Sequence, residues 1–484
     1  MPLIVSHRNE VYHMKQFQWE QLVSSKRIPP NQPKNDLSLL RSEVESDYYR
    51  IINSASFRRL QDKTQVFPLD QSDFVRTRLT HSMEVSAIAK LIGRQVCAKI
   101  KAMQPYSHEI IETLASASLI HDLGNPPFGH FGETAIRNWF KQHLDELTYH
   151  GKTLHALLKE QERCDLMNYE GNAQSLRIVN GLHHLHGKNG MHLTSGVLDT
   201  IIKYPCNSLE AKKEQEKPKA QRSLLKKKIG YYASEATVFQ EIKNNTGTLH
   251  ARNPLTYILE AADDLAYTFS DLEDGYNKGL FTTDDLKAVL LASDDEKGLA
   301  KLEEKLKQTT SSHVASYYPH DGNKQAVFSW LTLKQLYCIS AITDAFVTHY
   351  DAIMEGRFEK ELIAVCAQAK LILNLKTFAF QKIYNTSSII QLELMGNEII
   401  SYLMDCFVNA LLPFDSETET MSEMEEKYVS LLSHNYMDHY FIVTKDLPDE
   451  EKVYHRLLMA ADFIGGMTDH YAKTLYQRLR GINL

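Results

Sequence analysis

The chain has 484 residues, of which 43% are hydrophobic and 24% charged, and its formal net charge is −7. This length allows about three average domains or one large helical body, and the mild acidity argues against a protein that coats nucleic acid over its whole surface. The six cysteines stand without C-x-x-C spacing, and neither an apolar secretory segment nor a membrane-spanning run occurs. We therefore expect a reduced, cytoplasmic protein with no membrane partner.

The N-terminal region leads from irregular sequence into helices. Residues 1–46 begin with a mixture of His, Arg, Gln and Pro without periodicity and predict an arm or an oligomer contact. Apolar residues then follow helical spacing from Ser42 to Leu60. The pattern of residues 66–79 predicts a short β-hairpin.

A strongly apolar helix follows this hairpin. Thr80 is a good helix cap, and His81 then lies in the first turn of a buried helix. Histidines on such helices are more often packed core residues than metal ligands. For His81 the interpretation as a ligand depends on the residues that accompany it.

The segment from His121 to Glu133, HDLGNPPFGHFGE, is the centre of the chain's chemistry. His121 and Asp122 end an apolar helix that Gly-Asn-Pro-Pro stops. His130 and Glu133 stand three residues apart at the start of the next helix, so both can face one site.

Two later segments are candidate anion contacts. Residues 169–177 start a helix with amide groups, including Asn172, near its N-terminus, although capping explains them almost as well. Residues 211–228 carry eight lysines and arginines against two glutamates. They predict an exposed, mobile loop that is either a solvated linker or a contact for a triphosphate or single-stranded nucleic acid.

A helix spanning Leu255 to Asp274 places Asp263, Tyr267 and Asp271 at i, i+4 and i+8 on one otherwise apolar stripe. Carboxylates on a buried stripe need partners or a metal. The rest of the chain is again helical in pattern.

A mixed N/O ligand set is formed by two imidazoles and two carboxylates from three helices: His81, His121, Asp122 and Asp263. Such a set suits Mn, Fe, Co, Ni or Zn and, less tightly, Mg. His130 with Glu133 would be the general acid/base pair of a metal-assisted hydrolysis.

These residues resemble the HD-domain phosphohydrolases. Longer strings resemble the bacterial deoxyguanosine triphosphate triphosphohydrolases: FVRTRLTHSME (74–84), HDLGNPPFGHFGE (121–133), EGNAQ (170–174), YYASE (231–235), AADDLAYTFSDLED (261–274) and GMTD (466–469). Many deoxynucleotide triphosphohydrolases carry a histidine at the position of Asn125, and the asparagine here resembles the long bacterial branch of the deoxyguanosine triphosphate triphosphohydrolases. The resemblance implies an all-α fold with an HD core at 47–280, which includes the basic loop, and a helical region at 281–484 that packs on it.

The resemblance also implies a reaction and a set of roles. dGTP would be hydrolysed to deoxyguanosine and tripolyphosphate with Mg²⁺ or Mn²⁺, by attack of water at the α-phosphorus. The metal ligands would be His81, His121, Asp122 and Asp263, with His130 and Glu133 acting on the proton. Arg78, Lys203 and Tyr204 would contact the triphosphate, Gln65 and Val66 the sugar, Tyr267 the face where a 2′-hydroxyl would clash, and Asp271 the 3′-hydroxyl.

Other functions remain open on the sequence. One is a broad dNTP triphosphohydrolase, and another is a single-stranded nucleic-acid-binding protein with weak or no turnover, which the basic run at 211–228 favours. The resemblance itself implies that single-stranded DNA acts as an effector and that the chain forms homo-oligomers, commonly hexamers.

Overall fold

The computed structural model describes residues 16–29, 42–67, 69, 75–183, 190–310 and 319–482. Regular structure within these ranges is almost entirely helical, which confirms the all-α prediction. No helix among them is both long enough and apolar enough to cross a membrane.

The helices run through the described chain in short and long pieces. The first half contains α1 Trp19–Leu22, α2 Glu43–Ile52, α3 Ala55–Arg59, α4 Arg78–Lys99, α5 Ser107–Ile120, α6 His130–His143, α7 Leu154–Leu157, α8 Glu160–Met167, α9 Gly171–Arg177, α10 Ser195–Ile201, α11 Ser208–Glu216 and α12 Ala236–Thr246. The second half contains α13 Pro254–Asn277, α14 Thr283–Ala292, α15 Glu296–Thr310, α16 Pro319–Thr348, α17 Tyr350–Met354, α18 Leu362–Val365, α19 Ala369–Ala379, α20 Ser387–Leu411, α21 Glu423–Val429, α22 His434–Val443, α23 Asp449–Gly465 and α24 Asp469–Leu479. Short 3-10 turns occur at Leu60–Asp62, Lys101–Tyr106, Lys219–Gln221, Leu224–Lys226 and Ala233–Glu235, and π turns at Ile178–Leu182 and Phe380–Tyr384.

In the described part of the predicted hairpin at 66–79, the strand pairing consists of one antiparallel bridge, between Thr64 and Thr77. Thr77 is also the N-cap of α4, where its side chain forms a capping box with Thr80. The helix therefore begins at Arg78, before Thr80, and strand pairing cannot continue past Thr77. Residues 68 and 70–74 of the predicted hairpin lie outside the described ranges.

A two-stranded antiparallel sheet, which the sequence did not predict, pairs β1 (Thr148–Tyr149) with β2 (Lys152–Thr153). It is the one sheet in the described part of the chain.

Helices α4, α5 and α13 pack on one another and form the centre of the fold. The C-terminal region covers this centre: α16 packs on α4 and α13, and α20 packs on α6 and α23. Residues 16–29, within the predicted arm 1–46, lie against the same core, in which Trp19 and Leu22 are buried.

The loop after α5 is held by a close backbone approach at Gly124. A Cβ atom there would lie 2.1 Å from the carbonyl oxygen of Gly171, at the start of α9. Glycine is therefore required, and α9 fixes the loop that carries the predicted ligands.

Candidate active site

Three of the four predicted metal ligands meet at the centre of the protein. His81 comes from α4, His121 follows α5, and Asp263 belongs to α13. Asp263 Oδ1 lies 3.1 Å from His81 Nε2 and 3.5 Å from His121 Nε2. One ligand atom from each residue lies within 4.8 Å of the others, a spacing at which they could hold one metal ion.

The orientation of His121 fits a metal. Its Nδ1 lies 2.7 Å from the carbonyl oxygen of Ser118, and because a carbonyl can only accept, Nδ1 carries the hydrogen. Nε2 then faces the site, where it is buried and has no hydrogen-bond partner, and a metal that displaces its proton would take up its lone pair. An unpaired buried imidazole nitrogen beside a carboxylate is suited to a cation.

Asp122, the fourth predicted ligand, stands beside this group. Its Oδ2 accepts from Arg78 Nη1 at 2.5 Å, and its Oδ1 accepts from Asn125 Nδ2 at 2.7 Å. Its distance to His121 Nε2 is 3.6 Å. Its role as a ligand stays a prediction.

The electrostatics of the site favour positive charge at its centre. Burial lowers the pKa of His121, but Asp122 and Asp263 raise it, to about 9. Burial raises the pKa of Asp122, but His121 and Arg78 lower it to about 2. Burial also raises the pKa of Asp263, but His121 and His81 hold it well below its usual range. The two carboxylates therefore stay ionised and attract a cation.

His130 and Glu133 form the hydrogen-bonded pair that their spacing predicts. His130 Nδ1 lies 3.0 Å from Glu133 Oε2, and Glu133 Oε1 accepts from the backbone N–H of Gly171 at 2.8 Å. The His130 side chain is 73% exposed, whereas that of Glu133 is 1% exposed. The buried carboxylate orients an imidazole whose other nitrogen is accessible, as an acid/base pair requires.

A cavity of about 470 Å³ opens on one side of the ligand group. Five of the predicted substrate contacts line it: Gln65, Val66, Arg78, Tyr267 and Asp271.

The C-terminal region completes this cavity with two residues that sequence reasoning missed. The Tyr384 hydroxyl, at the end of a π turn, donates a hydrogen bond to Asp271. Lys376 Nζ pairs with Asp264 at 2.6 Å and lies 5.4 Å from the centre of the Tyr267 ring. Burial raises the pKa of Asp271 to about 8, with Tyr384 opposing the shift.

A second cavity, of about 160 Å³, also opens on the ligand group. The remaining predicted substrate contacts line it: Asn172, Lys203 and Tyr204. Asp122, Asn125, His130 and Asp263 line both cavities. The predicted substrate contacts are thus divided between two spaces that share the candidate metal centre.

Lys228 joins Lys203 in the second cavity, and sequence reasoning had placed it in an exposed loop. Each lysine is paired with a carboxylate: Lys203 Nζ lies 3.1 Å from Glu260, and Lys228 Nζ lies 2.9 Å from Glu170. Burial lowers the pKa of both lysines, but these carboxylates raise it above the ordinary value. Both lysines are therefore cationic.

The rest of the basic segment 211–228 is largely exposed, as its composition predicted, but several of its lysines have carboxylate partners. It forms α11 and short 3-10 turns rather than an irregular loop. Lys212, Lys217 and Lys226 lie near Glu160, Glu214 and Glu210, at 3.6, 2.8 and 3.6 Å.

Comparison with known families gives two matches. The HD domain matches residues 78–218, and the phosphohydrolase-associated domain matches residues 366–478. The first match contains His81, His121, Asp122, His130 and Glu133, and the second contains Lys376 and Tyr384.

Several relatives match the chain over nearly its whole length. A deoxyguanosinetriphosphate triphosphohydrolase-like protein of Listeria monocytogenes is 42% identical, over 96% of this chain and 100% of its own. Proteins named deoxyguanosinetriphosphate triphosphohydrolase are 32% identical in Serratia proteamaculans, over 96% of this chain and 99% of theirs, and 33% identical in an Enterobacter species, over 94% and 96%.

Proposed function

The chain belongs to the family of HD-domain proteins that includes the deoxyguanosinetriphosphate triphosphohydrolases and their like-named relatives, and on that premise we propose that it hydrolyses dGTP to deoxyguanosine and inorganic tripolyphosphate. Water attacks the α-phosphorus, the bond from phosphorus to the 5′-oxygen breaks, and the proton lost by water is balanced by one gained at the 5′-oxygen.

The observation that carries this proposal is the pair of cavities that share the ligand group. A nucleoside triphosphate has an anionic end and a neutral end, and the α-phosphorus lies between them. The second cavity offers Lys203, Lys228, Tyr204 and Asn172 to the anionic end, and the larger cavity offers Gln65, Val66, Tyr267 and Asp271 to the sugar. A substrate laid across both cavities brings its α-phosphorus to the ligand group.

The second cavity suits the triphosphate chain, which becomes the tripolyphosphate product when the 5′-oxygen leaves the α-phosphorus. Its lysines supply two positive charges, and Asn172 adds a side-chain amide beside them. Glu170 and Glu260 hold the lysines in place before substrate arrives. When a polyphosphate binds, the two lysines exchange these carboxylates for charge-assisted hydrogen bonds to its oxygens.

The larger cavity suits a deoxyribose. The Tyr267 ring excludes a ribonucleotide because the 2′-hydroxyl would clash with it. The Asp271 carboxyl, held by Tyr384, accepts a hydrogen bond from the 3′-hydroxyl. Arg78 lines this cavity beside Asp122 and reaches the α-phosphate region.

His130 lies where a proton must move. It lines both cavities and is hydrogen-bonded to Glu133, which supports its role as the group that exchanges a proton with the attacking water or the 5′-oxygen. A divalent ion, Mg²⁺ or Mn²⁺ or another transition metal, held by His81, His121 and Asp263 with Asp122 beside them, would supply Lewis acidity toward a phosphoryl oxygen.

A broad dNTP triphosphohydrolase is the second candidate, favoured by the lining of the larger cavity. Phe128, Phe131, Phe380 and Ile389 contribute apolar surface there. Stacking on aromatic side chains accepts every base, because each has a π face.

Product analysis separates these candidates. The protein is incubated with each dNTP and with GTP, with Mg²⁺, Mn²⁺ or chelator, and the products are resolved by anion-exchange chromatography. Metal-dependent release of tripolyphosphate chiefly from dGTP supports the first proposal, and equal release from all four dNTPs supports the second. No turnover with any nucleotide contradicts both and leaves a nucleic-acid-binding protein to be tested.

Two further expectations belong to this proposal: homo-oligomers, with a hexamer as the expected form, and single-stranded DNA as an effector. Light scattering after gel filtration tests the first. Fluorescence anisotropy with a labelled oligonucleotide at two salt concentrations tests the second, because binding through phosphates weakens steeply with salt.

A further inference from the structure

Asp469 joins two walls of the active site through its two carboxylate oxygens. Oδ2 accepts from the backbone N–H of Thr64, and Oδ1 from that of Phe128, both at 3.0 Å. Thr64 precedes Gln65 on the larger cavity, and Phe128 stands two residues before His130. One carboxylate, 2% exposed, therefore sets the position of the sugar wall relative to the segment that carries the proton donor.

Lys63 closes the same arrangement from the other side. Its Nζ donates to the carbonyl oxygens of Asn125 at 2.6 Å and Gly465 at 2.8 Å. Asn125 in turn donates from its side chain to Asp122. The loop between His121 and His130 is thus tied at two points to the C-terminal turn 465–469.

Phe128 shows why such ties are needed. Its φ is +63°, in the left-handed region that bulky residues rarely adopt. Such a conformation persists only where the surroundings hold it. The Asp469 hydrogen bond holds the backbone of Phe128. The ring packs closely against Gly396 of α20, where a Cβ atom would lie 3.0 Å from it.

We infer that Asp469 is a positioning residue of the active site, which acts on the reaction through His130. This inference rests on the proposed function. It gives the C-terminal motif Gly466–Asp469 a role in the chemistry: α24 begins at Asp469, and its first residue fixes the loop of the HD core. A misplacement of about 1 Å at a reacting group costs on the order of a hundred-fold in rate, so the tie affects kcat more than binding.

The first test is Asp469→Asn. The side chain keeps its size and one acceptor oxygen, but the amide nitrogen cannot accept, so either Thr64 or Phe128 loses its partner. We expect kcat for dGTP to fall by about ten-fold or more, while KM and the affinity for Mn²⁺, measured by electron paramagnetic resonance, change less than about two-fold. Asp165→Asn is the matched control, because Asp165 is equally buried and accepts from a backbone N–H, that of Ala233 at 2.7 Å, away from this loop.

The deciding test is a double-mutant cycle with His130→Ala. If Asp469 acts through His130, Asp469→Asn costs less than about two-fold in the His130→Ala background. Gly396→Ala disturbs Phe128 from the opposite side and should show the same pattern, which keeps the test available if Asp469→Asn does not fold.

The outcomes separate the two proposals. If the wild-type enzyme is active, two results overturn the positioning role alone. One is that the losses of kcat in Asp469→Asn and His130→Ala multiply in the double variant, and the other is that Asp165→Asn loses as much kcat as Asp469→Asn. A wild-type protein that turns over no nucleotide overturns the proposed function and the positioning role with it.

Discussion

Arg78 Nη1 donates to Asp122 Oδ2 at 2.5 Å, while Asp122 stands beside the three-residue group of His81, His121 and Asp263. A cation of the protein thus neutralises a carboxylate at the edge of the candidate metal centre. Arg78 also lines the larger cavity, where a phosphate would meet it. It should therefore oppose metal binding and favour substrate binding.

Arg78→Met is expected to change these two affinities in opposite directions. Loss of the positive charge should tighten Mn²⁺ binding or leave it unchanged, and should lower kcat/KM for dGTP by roughly ten- to a hundred-fold, the value of one or two charge-assisted hydrogen bonds. Calorimetry measures the first effect and steady-state kinetics the second. Arg94→Met, on the exposed face of the same helix, is the control. Weaker metal binding in Arg78→Met would contradict the argument.

His130→Ala should keep the metal and lose turnover. His130 is outside the ligand group and hydrogen-bonded to Glu133, so its removal should cost about two to four orders of magnitude in kcat, the usual value of a general acid/base. His121→Ala should lose both metal and turnover. Mn²⁺ titration and kcat on the same preparations separate these effects, and wild-type rates in His130→Ala would discard the assignment.

The sequence predicted the local features of this site because they are local. Helix α5 ends at Ile120, directly before His121 and Asp122 and close to the Gly-Asn-Pro-Pro that cannot continue it. The i, i+3 spacing of His130 and Glu133 allows their hydrogen bond. Asp263, Tyr267 and Asp271 belong to a single helix, so their shared stripe follows from helix geometry.

Contacts between distant segments could not be predicted from the sequence. Tyr384 meets Asp271 across 113 positions, and Asp469 meets Phe128 across 341. Nothing in the neighbourhood of Tyr384 or Asp469 indicates which helix it will contact, because that depends on how α19, α20 and α24 pack on the core. Composition likewise could not show which lysine of 211–228 turns inward. The hydrogen bond from Gly230 N to Cys206 O, at 3.0 Å, brings Lys228 back beside Tyr204.

Tyr267→Ala should relax discrimination against GTP. The ring lines the larger cavity, where it would lie against the sugar, and its removal leaves room for a 2′-hydroxyl. We expect the ratio of kcat/KM for GTP to that for dGTP to rise by roughly ten-fold or more, since rejection by steric contact is lost with the contact. Tyr337→Ala, a 66% exposed tyrosine of α16, is the control. An unchanged ratio in Tyr267→Ala would remove its role as a sugar gate.

Lys228→Met should weaken binding of the triphosphate. Its ammonium group lines the second cavity with Lys203, so we expect KM for dGTP to rise by roughly ten-fold, with a smaller effect on inhibition by deoxyguanosine, which has no phosphates. Lys226→Met is matched in sequence, being two residues away and paired with Glu210 at 3.6 Å. If both variants raise KM equally, the segment acts by its overall charge and Lys228 has no separate role.

Asp165 should make stability depend on pH. Burial raises the pKa of this carboxyl from 3.8 to about 7, although Ala233 N–H and the Tyr454 hydroxyl donate to it. The folded state therefore binds the proton more tightly than the unfolded state, and the stabilisation, fully present below pH 4, is lost as pH rises through 7. The loss is on the order of 4 kcal/mol at most.

Asp165→Asn removes this titration and leaves a constant offset. The difference in melting temperature between the variant and the wild type should therefore become more positive, by several degrees, from pH 4 to pH 8. Scanning fluorimetry at half-unit intervals measures it. Other buried carboxyls titrate in both proteins, so their contributions cancel in the difference. A difference that does not change with pH would mean that Asp165 is ionised in the folded protein throughout, with its charge stabilised by the N–H and hydroxyl groups that surround it.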